Sequence, residues 1–332
     1  INYTWEYCYN KFSFYRDLKL KHKLPNYLDS LERLKDFPII NKKSIKENYS
    51  KIKLESLSKK FTLTGGTSGI LLGFPTSYYD EYLNIVRTFY YRQLVHNINI
   101  NSHSLYIWGH SHKFGKGFNK LKNHFKVNIK DKILNRKRVS AYDLDNLNIE
   151  KIIKYIKKHN IEYLITYGSS LEIILDFLSS NNIFINQPIK VIVTSDNLSK
   201  EHFDKFRNFF LNSYIINEYG MAETGIVGFS DKDFKRIEVF YDDFIIEENK
   251  SKLIISSLNC TSFPLIRYDS EDLLKNKRNI PLKIIDELIG KKRPILKFKI
   301  NEKKISSIIF DHILKNIPEI IDFQYSFKNH KF

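Results

Sequence analysis

The sequence predicts an α/β fold: a largely parallel, covered sheet followed by a separate β-rich region. Three observations carry this. Between Ser104 and Phe210, short strands alternate with helical stretches. The strands are continuously apolar, as strands covered on both faces are. After Tyr219, helical spacing gives way to successive strand-like segments.

The elements follow in order. The opening stretch to about Asp36 mixes aromatics with Lys, Arg and Asp and reads as helical. Asp36-Phe37-Pro38-Ile39-Ile40 reads as extended, because Pro38 restrains the residue before it. Ser44 to Tyr49 reads as a short capped helix. Phe61 to Thr64 has β character and runs into a Gly-rich turn. Tyr78 to Val95 carries apolar residues at helical spacing, with Asp80 and Glu81 near its start, where negative charge suits the helix dipole. Next come strands at Ser104–Trp108, Tyr163–Tyr167 and Lys190–Thr194, and helices at Ile149–Lys158, Ser170–Ser179 and Lys200–Phe210. The β-rich part holds Arg236–Phe240, Phe244–Glu247 and Lys252–Ser257. Lys283 to Ile289 leads into Gly290 and a basic stretch, and Ser306 to Leu314 reads as a helix.

The 332 residues suffice for a sizeable core and two or three domains. With 42% hydrophobic and 27% charged residues, the composition is that of a globular chain and excludes global disorder. No apolar run reaches the roughly 18 residues that a membrane-spanning helix needs. The chain starts at Ile1 without Met or a signal-peptide pattern, which leaves an upstream segment open. Cys8 and Cys260 make neither a disulfide framework nor a Cys-rich metal site, and fit a reducing cytoplasm. The net charge of +17 suits an acidic partner such as nucleic acid, a phosphorylated cofactor or an acidic carrier protein. A base-composition bias is the preferred reading, since Lys, Asn and Ile are spread throughout. The densest basic clusters are Lys130–Arg138 and Lys291–Arg293.

Three segments carry chemistry. Thr64-Gly65-Gly66-Thr67-Ser68-Gly69 follows a predicted strand. Its glycines permit tight conformations, and its amides and hydroxyls can converge on a phosphate. No Lys follows, so it is not the Gly-Lys-Ser/Thr nucleotide loop. Alone, it reads equally as a plain surface turn. Asn217-Glu218-Tyr219-Gly220-Met221-Ala222-Glu223-Thr224 places an aromatic, a glycine and a carboxylate within five residues. Tyr219 could face a purine ring, and Glu223 could hold a Mg²⁺ carried by phosphates; alone, the segment reads rather as a loop with a solvated Glu and a packed Tyr. Pro264 to Leu273 contains Arg267, Tyr268 and the acids Asp269, Glu271 and Asp272. A carboxylate there could accept ribose hydroxyls, while the plain alternative is an acidic turn balancing Arg267.

In this order and spacing, the segments resemble the adenylate-forming superfamily. The likeness is to its phenylacetate–CoA ligase branch, including the adenylating proteins of capsular polysaccharide clusters, and covers roughly Phe61 to the end of the chain. The resemblance implies a large N-terminal ATP- and acyl-binding adenylation domain at residues 1–289, with mostly parallel sheets and a β-rich subdomain. Residues 290–332 would begin a short or truncated α+β C-terminal domain. It implies that Thr64, Gly65, Gly66, Thr67, Ser68 and Gly69 grip ATP phosphates, with Thr67 counted as catalytic. The family's Tyr-Gly-x-x-Glu matches Tyr219 to Glu223. That match implies cofactor contacts by Glu218, Tyr219, Gly220 and Met221, and Mg²⁺ binding with a catalytic role for Glu223. The family's Arg-Tyr-x-Thr-Gly-Asp matches Arg267 to Asp272, which implies that Asp272 holds the ribose. Thr194 to Leu198 stands in the place of the adenine-side loop, giving Ser195 and Asp196. Tyr167, Gly168 and Ser169 stand beside the acyl pocket.

The sequence also departs from the pattern. Ile70-Leu71 replaces Lys-Pro after the phosphate loop, and Ser270-Glu271 replaces Thr-Gly. Gly290-Lys291-Lys292-Arg293 stands where the family has Gly-Arg and a hinge, so Lys291 is the expected cation, as a point charge and not a fork. The catalytic Lys of the family's small domain has no visible counterpart. His103, His110 and His112 lie close together in sequence. Imidazole is a good zinc ligand, but a loop lining the acyl or acceptor pocket is the preferred reading. The expected function is ATP-dependent acyl-AMP formation with Mg²⁺, followed by transfer to CoA, an acyl carrier protein thiol or an amine such as an amino sugar. A degenerate nucleotide-binding or scaffold member is the alternative. A nucleic-acid-binding protein is a further one, with no recognisable motif behind it.

Overall fold

The computed structural model describes residues 1–56, 58, 60–63, 72–109, 128–195, 198, 200–231, 236–275 and 281–290, together with the backbone of 295–297 and 304–306. They fall into two compact units. One comprises residues 1–88, 219–230 and 235–290, and the other 89–218, 231–234 and 291–332.

The first unit opens with helices α1 (Asn2–Lys11) and α2 (Ser13–His22) and a 3₁₀ turn at Leu31–Asp36. The stretch expected to be helical to about Asp36 is thus two α-helices and a 3₁₀ turn. Helices α3 (Lys42–Glu47) and α4 (Tyr49–Glu55) follow, then the antiparallel pair β1 (Lys60–Leu63) and β2 (Gly73–Thr76). Aromatic edges hold the opening helices down. Trp5 meets Phe37 edge-on at 4.8 Å, and Phe12 meets Phe263 at 5.1 Å. The Tyr15 hydroxyl donates to the Pro264 carbonyl at 2.6 Å. Helix α5 (Tyr78–His96) starts where Ser77 caps it: the Ser77 hydroxyl accepts from the Asp80 amide at 3.0 Å.

The second unit contains β3 (Ser104–Trp108), β4 (Arg136–Ser140), α6 (Asn146–Lys158), β5 (Tyr163–Tyr167), α7 (Gly168–Ser180), β6 (Lys190–Thr194), α8 (Lys200–Phe209) and the start of β7 (Tyr214–Met221). Its strands are all parallel, in the order β4-β3-β5-β6-β7. The apolar runs demand this covered position: every residue of β5 is buried. Asp145 caps α6 by accepting from the Asn148 amide. The helix then buries Ile149, Ile152, Ile153 and Ile156 at helical spacing, each burial contributing about 2 kcal/mol. The predicted strands and helices of this unit appear within a few residues of their expected bounds. The hairpin β15 (Ile295–Lys297) and β16 (Lys304–Ser306) also belongs to it.

The β-rich remainder of the first unit has two antiparallel parts. Strand β8 (Gly225–Ser230) pairs with β9 (Ile237–Val239), which pairs with β13 (Ile284–Ile285). The other part runs β10 (Phe244–Asn249), β11 (Lys252–Ser257), β12 (Tyr268–Lys275) and β14 (Glu287–Leu288). Strand β12 is a correction to the sequence reading, in which Tyr268 to Leu273 stood as a segment after a strand end. The helix expected from Ser306 onward lies outside the described residues, apart from Ser306 itself, which ends a strand.

One element fixes the first unit's geometry. Ile40 bridges Tyr268 in parallel, with its amide donating to the Arg267 carbonyl at 3.0 Å and its carbonyl accepting from the Asp269 amide at 2.8 Å. The expected extended piece before α3 is therefore a sheet partner. Arg267 reinforces it from a left-handed backbone conformation, φ 51°. Its guanidinium donates to buried Glu247 at 3.0 Å and to the carbonyls of Lys35 and Phe37. Burial pushes the Glu247 carboxyl up despite Arg267. Replacing Arg267 by Ala is expected to destabilise the protein by about 3–5 kcal/mol in urea unfolding, because Glu247 is left buried and unpaired; a change below 1 kcal/mol would contradict this account.

Candidate active site

Two motif segments far apart in sequence meet in the first unit. The Tyr219 hydroxyl donates to Asp272 Oδ2 at 2.8 Å. The Tyr268 hydroxyl donates to Glu223 Oε1 at 3.0 Å. Lys42 Nζ lies 3.7 Å from the same Glu223 oxygen and 3.3 Å from Glu271 Oε2. Lys42 is only 4% exposed.

Local structure explains each position. Strand β7 ends at Met221, and residues 222–224 turn back into β8, with the Thr224 amide donating to the Met221 carbonyl at 3.3 Å. Gly220 is required there, since a Cβ would stand 2.6 Å from the Gly225 carbonyl oxygen. Gly225 has φ 74° and its Cα faces the Asn84 amide group, so only glycine fits. On the other side β12 is bulged: Ile254 faces Asp269 while Lys252 faces Leu273, and Glu271 takes φ 65°. The bulge re-aims successive side chains so that Asp272 reaches Tyr219. Lys42 comes into place because the Ile40 bridge ends one residue before Asn41. Asn41 then caps α3 by accepting from the Ser44 amide, and Lys42 is the first residue of that helix.

Burial, and next Asp272, pushes the Tyr219 phenol well above its ordinary range. Burial, and next Glu223, does the same to Tyr268. Both hydroxyls therefore remain donors at neutral pH. Beside the 222–224 turn lies a cavity of about 310 Å³, with Glu223, Thr62, Thr76, Asp80 and Cys260 in its lining. Burial pushes the Cys260 thiol up to about 12, so it is no thiolate nucleophile at neutral pH. Burial alone would raise the Asp80 carboxyl. Hydrogen bonds from the Ser262 hydroxyl, the Thr261 amide, Ser77 and the Thr261 hydroxyl hold it below its ordinary range instead.

A Mg²⁺ at Glu223 fits this geometry. Both contacts to the carboxylate use Oε1, leaving Oε2 for a cation. Among the described residues no cluster of three or more His, Cys, Asp or Glu could hold a metal by itself. A single carboxylate with the remaining ligands from phosphates and water is what Mg²⁺ commonly takes.

The second unit holds other expected site residues at the carboxyl ends of neighbouring parallel strands, where open α/β sheets bind ligands. Tyr167 ends β5, with Gly168 and Ser169 opening α7; Ser195 follows β6 with φ 72°. The Tyr167 hydroxyl accepts from the Gly109 amide at 3.3 Å, and its ring lies 4.5 Å from that of Trp108. Glu218 and Tyr219 are consecutive in a strand, so their side chains take opposite faces. The Glu218 carboxylate is committed to Arg92, at 2.9 and 2.6 Å. Thr64, Gly65, Gly66, Thr67, Ser68, Gly69, Asp196 and Lys291 lie outside the described residues, as do His110 and His112. His103 pairs with the Tyr155 hydroxyl at 3.0 Å. The residue that sequence reasoning missed is Lys42. Its only local signal is the Asn41-x-x-Ser44 capping pattern, and one lysine among 54 basic residues says nothing about itself.

No family model matches the chain. Protein CapK of Staphylococcus aureus is 24% identical over 298 residues, covering 88% of this chain and 65% of CapK, so the chain spans just under two thirds of that relative. Among solved structures, an open conformation of 2-hydroxyisobutyryl-CoA ligase in complex with 2-HIB-AMP and CoA aligns with TM-score 0.65. It is 12% identical and covers 96% of this chain and 73% of the ligase. The same ligase in the postadenylation state gives TM-score 0.64 at 12% identity, over 96% and 71% of the two chains. At such identity the structural likeness establishes the fold, and the expected α/β fold class holds.

Two outcomes test the geometry. Lys42→Met is expected to cost about 3 kcal/mol in urea unfolding at pH 7, because two carboxylates lose their buried cation; an unchanged midpoint would refute the pairing. Asp80 has a depressed folded value, so its stabilisation is present above the unfolded value of about 4 and is lost as pH falls through the lower folded value. Asp80→Asn is therefore expected to be less stable at pH 7 by about 1–2 kcal/mol, with the gap closing below about pH 4.

Proposed function

From a chain with the adenylate-forming fold and a CapK-like sequence, we propose that this protein activates a carboxylic acid to acyl-AMP with ATP and passes the acyl group to a thiol or amine. The observation that carries this is the meeting of the two motif segments, Tyr219 with Asp272 and Glu223 with Tyr268, the second pair backed by Lys42. An isolated acidic turn would have no reason to hold two tyrosines and a buried lysine.

A carboxylate oxygen of the acid attacks the α-phosphorus in line. The new bond is C(=O)O–P, and pyrophosphate leaves with the pair of the broken P–O bond. The protein's part is positioning and charge neutralisation. Asp272 takes the ribose hydroxyls. Tyr219, Gly220, Met221, the Glu218 backbone and the Ser195–Asp196 loop hold the adenine. The Thr64 to Gly69 loop, with Thr67, holds the phosphates. Glu223 would hold Mg²⁺, which when bound would neutralise phosphate charge. Lys42 supplies a protein cation at the same carboxylate, and Lys291 a further one at the hinge. Tyr167, Gly168 and Ser169 face the acyl group. The acceptor is CoA, a carrier-protein thiol or an amino sugar. The similarity to CapK supports a step in surface polysaccharide synthesis, and the two cysteines fit a reducing cytoplasm. Residues 1–289 would form the large domain and 290–332 the start of the small one.

The test is carboxylate-dependent ATP–pyrophosphate exchange with a panel of acids, on wild type and Asp272→Ala. Exchange that needs one acid class and falls about a hundredfold in the variant, as loss of charged hydrogen bonds to ribose implies, supports the reading. The engagement of Glu223 by Lys42 and Tyr268 favours a second reading, nucleotide binding without catalysis. ATP binding with no exchange for any acid would select it.

A further inference from the structure

We propose that the cleft between β4 and α6 is a binding site for a small organic carboxylate with an apolar body, its headgroup held by Lys137 and Lys151. The cleft measures about 460 Å³ and lies wholly within the second unit. This is the size of small-molecule sites, about 300–1,000 Å³. None of its lining residues takes part in the adenylation proposed above, and the inference does not rest on that reading.

The cleft follows from topology. Among the described residues β4 ends its sheet and pairs with β3 alone, and residues of β4 and α6 line the cleft beside it. Leu105 of β3 faces Lys137 of β4 in register, and Ile107 faces Val139. Side chains alternate along a strand, so Lys137 and Val139 share the face under α6, while Arg136 and Arg138 take the other. Both arginines are committed there to Asp131, at 2.8 and 2.9 Å. The floor is apolar, from Leu105, Val139, Ile152 and Tyr155.

Charge then selects the ligand. Lys137 and Lys151 stand exposed at the mouth of the cleft, and neither has a carboxylate partner among the described residues. Lys151 donates to the neutral Asn148 Oδ1 at 3.3 Å. By contrast Lys154, one turn along, pairs with Glu150. Two ammonium groups over an apolar floor, with Asn148 and Ser140 as further donors, suit one anionic head and a hydrocarbon or aromatic body. A cation would be repelled. A polyanion would meet Asp143 on the same lining and find too little polar surface.

The experiment uses the full chain with ¹³C-methyl-labelled Ile, Leu and Val, the cleft methyls being identified through Ile152→Val and Val139→Ile. Octanoate is expected to move the Ile152, Val139 and Leu105 methyl resonances saturably. Methyls of the first unit should stay still. 1-Octanol, of equal length and no charge, should need about tenfold more, and Lys137→Gln/Lys151→Gln should weaken octanoate about tenfold while leaving the rest of the spectrum unchanged. The proposal is overturned if octanoate leaves the cleft methyls unmoved, if octanol matches it, or if the double variant binds as wild type does.

Discussion

The first unit depends on the docking of residues 35–40 against the start of β12. Two backbone hydrogen bonds at Ile40 set the register, and the Arg267 guanidinium fastens the chain on either side by reaching Glu247 and two carbonyls. Arg267 and Glu247 are both nearly sealed from solvent. A buried ion pair of this kind adds little net stability against an apolar substitute, but it tolerates no misplacement. Its role is specification: one register of the docked segment satisfies all the donors. Lys42 then has a single place to go, and the carboxylates that meet it are oriented in turn.

Much of the fold was legible because it rests on local pattern. The four isoleucines of α6 and the unbroken apolar runs of β5 and β6 announce both their element and their burial. The end of β7 and most of β12 were not legible as strands. Asn217-Glu218-Tyr219-Gly220 and Tyr268-Asp269-Ser270-Glu271-Asp272 carry polar groups that look solvated in sequence. Each is satisfied by a partner remote along the chain, as Glu218 is by Arg92 and Tyr219 by Asp272. Pairings of that range have no local signature. The site itself was half visible: the motif carboxylates stood out by spacing, whereas Lys42 was hidden by abundance. Similarly, the exchange of faces between Glu218 and Tyr219 became evident only once both were seen in one strand.

The high positive charge also reads differently at the level of individual residues. Several basic groups are internal counter-ions: Arg92, Arg267 and Lys42 are all buried against carboxylates. The scattered surface lysines set solubility and long-range attraction for anions, whereas these few set geometry.

The two tyrosine–carboxylate pairs have a consequence for how a ligand enters. Asp272 and Glu223 are not left to water alone; folding has already set a phenolic donor on each carboxylate. An incoming hydroxyl or cation therefore exchanges one partner for another instead of dehydrating a charge. Such a site resembles a socket fitted with its own blank plug. Its selectivity lies less in how strongly a ligand is attracted than in whether that ligand can turn two rings aside and leave no donor without an acceptor.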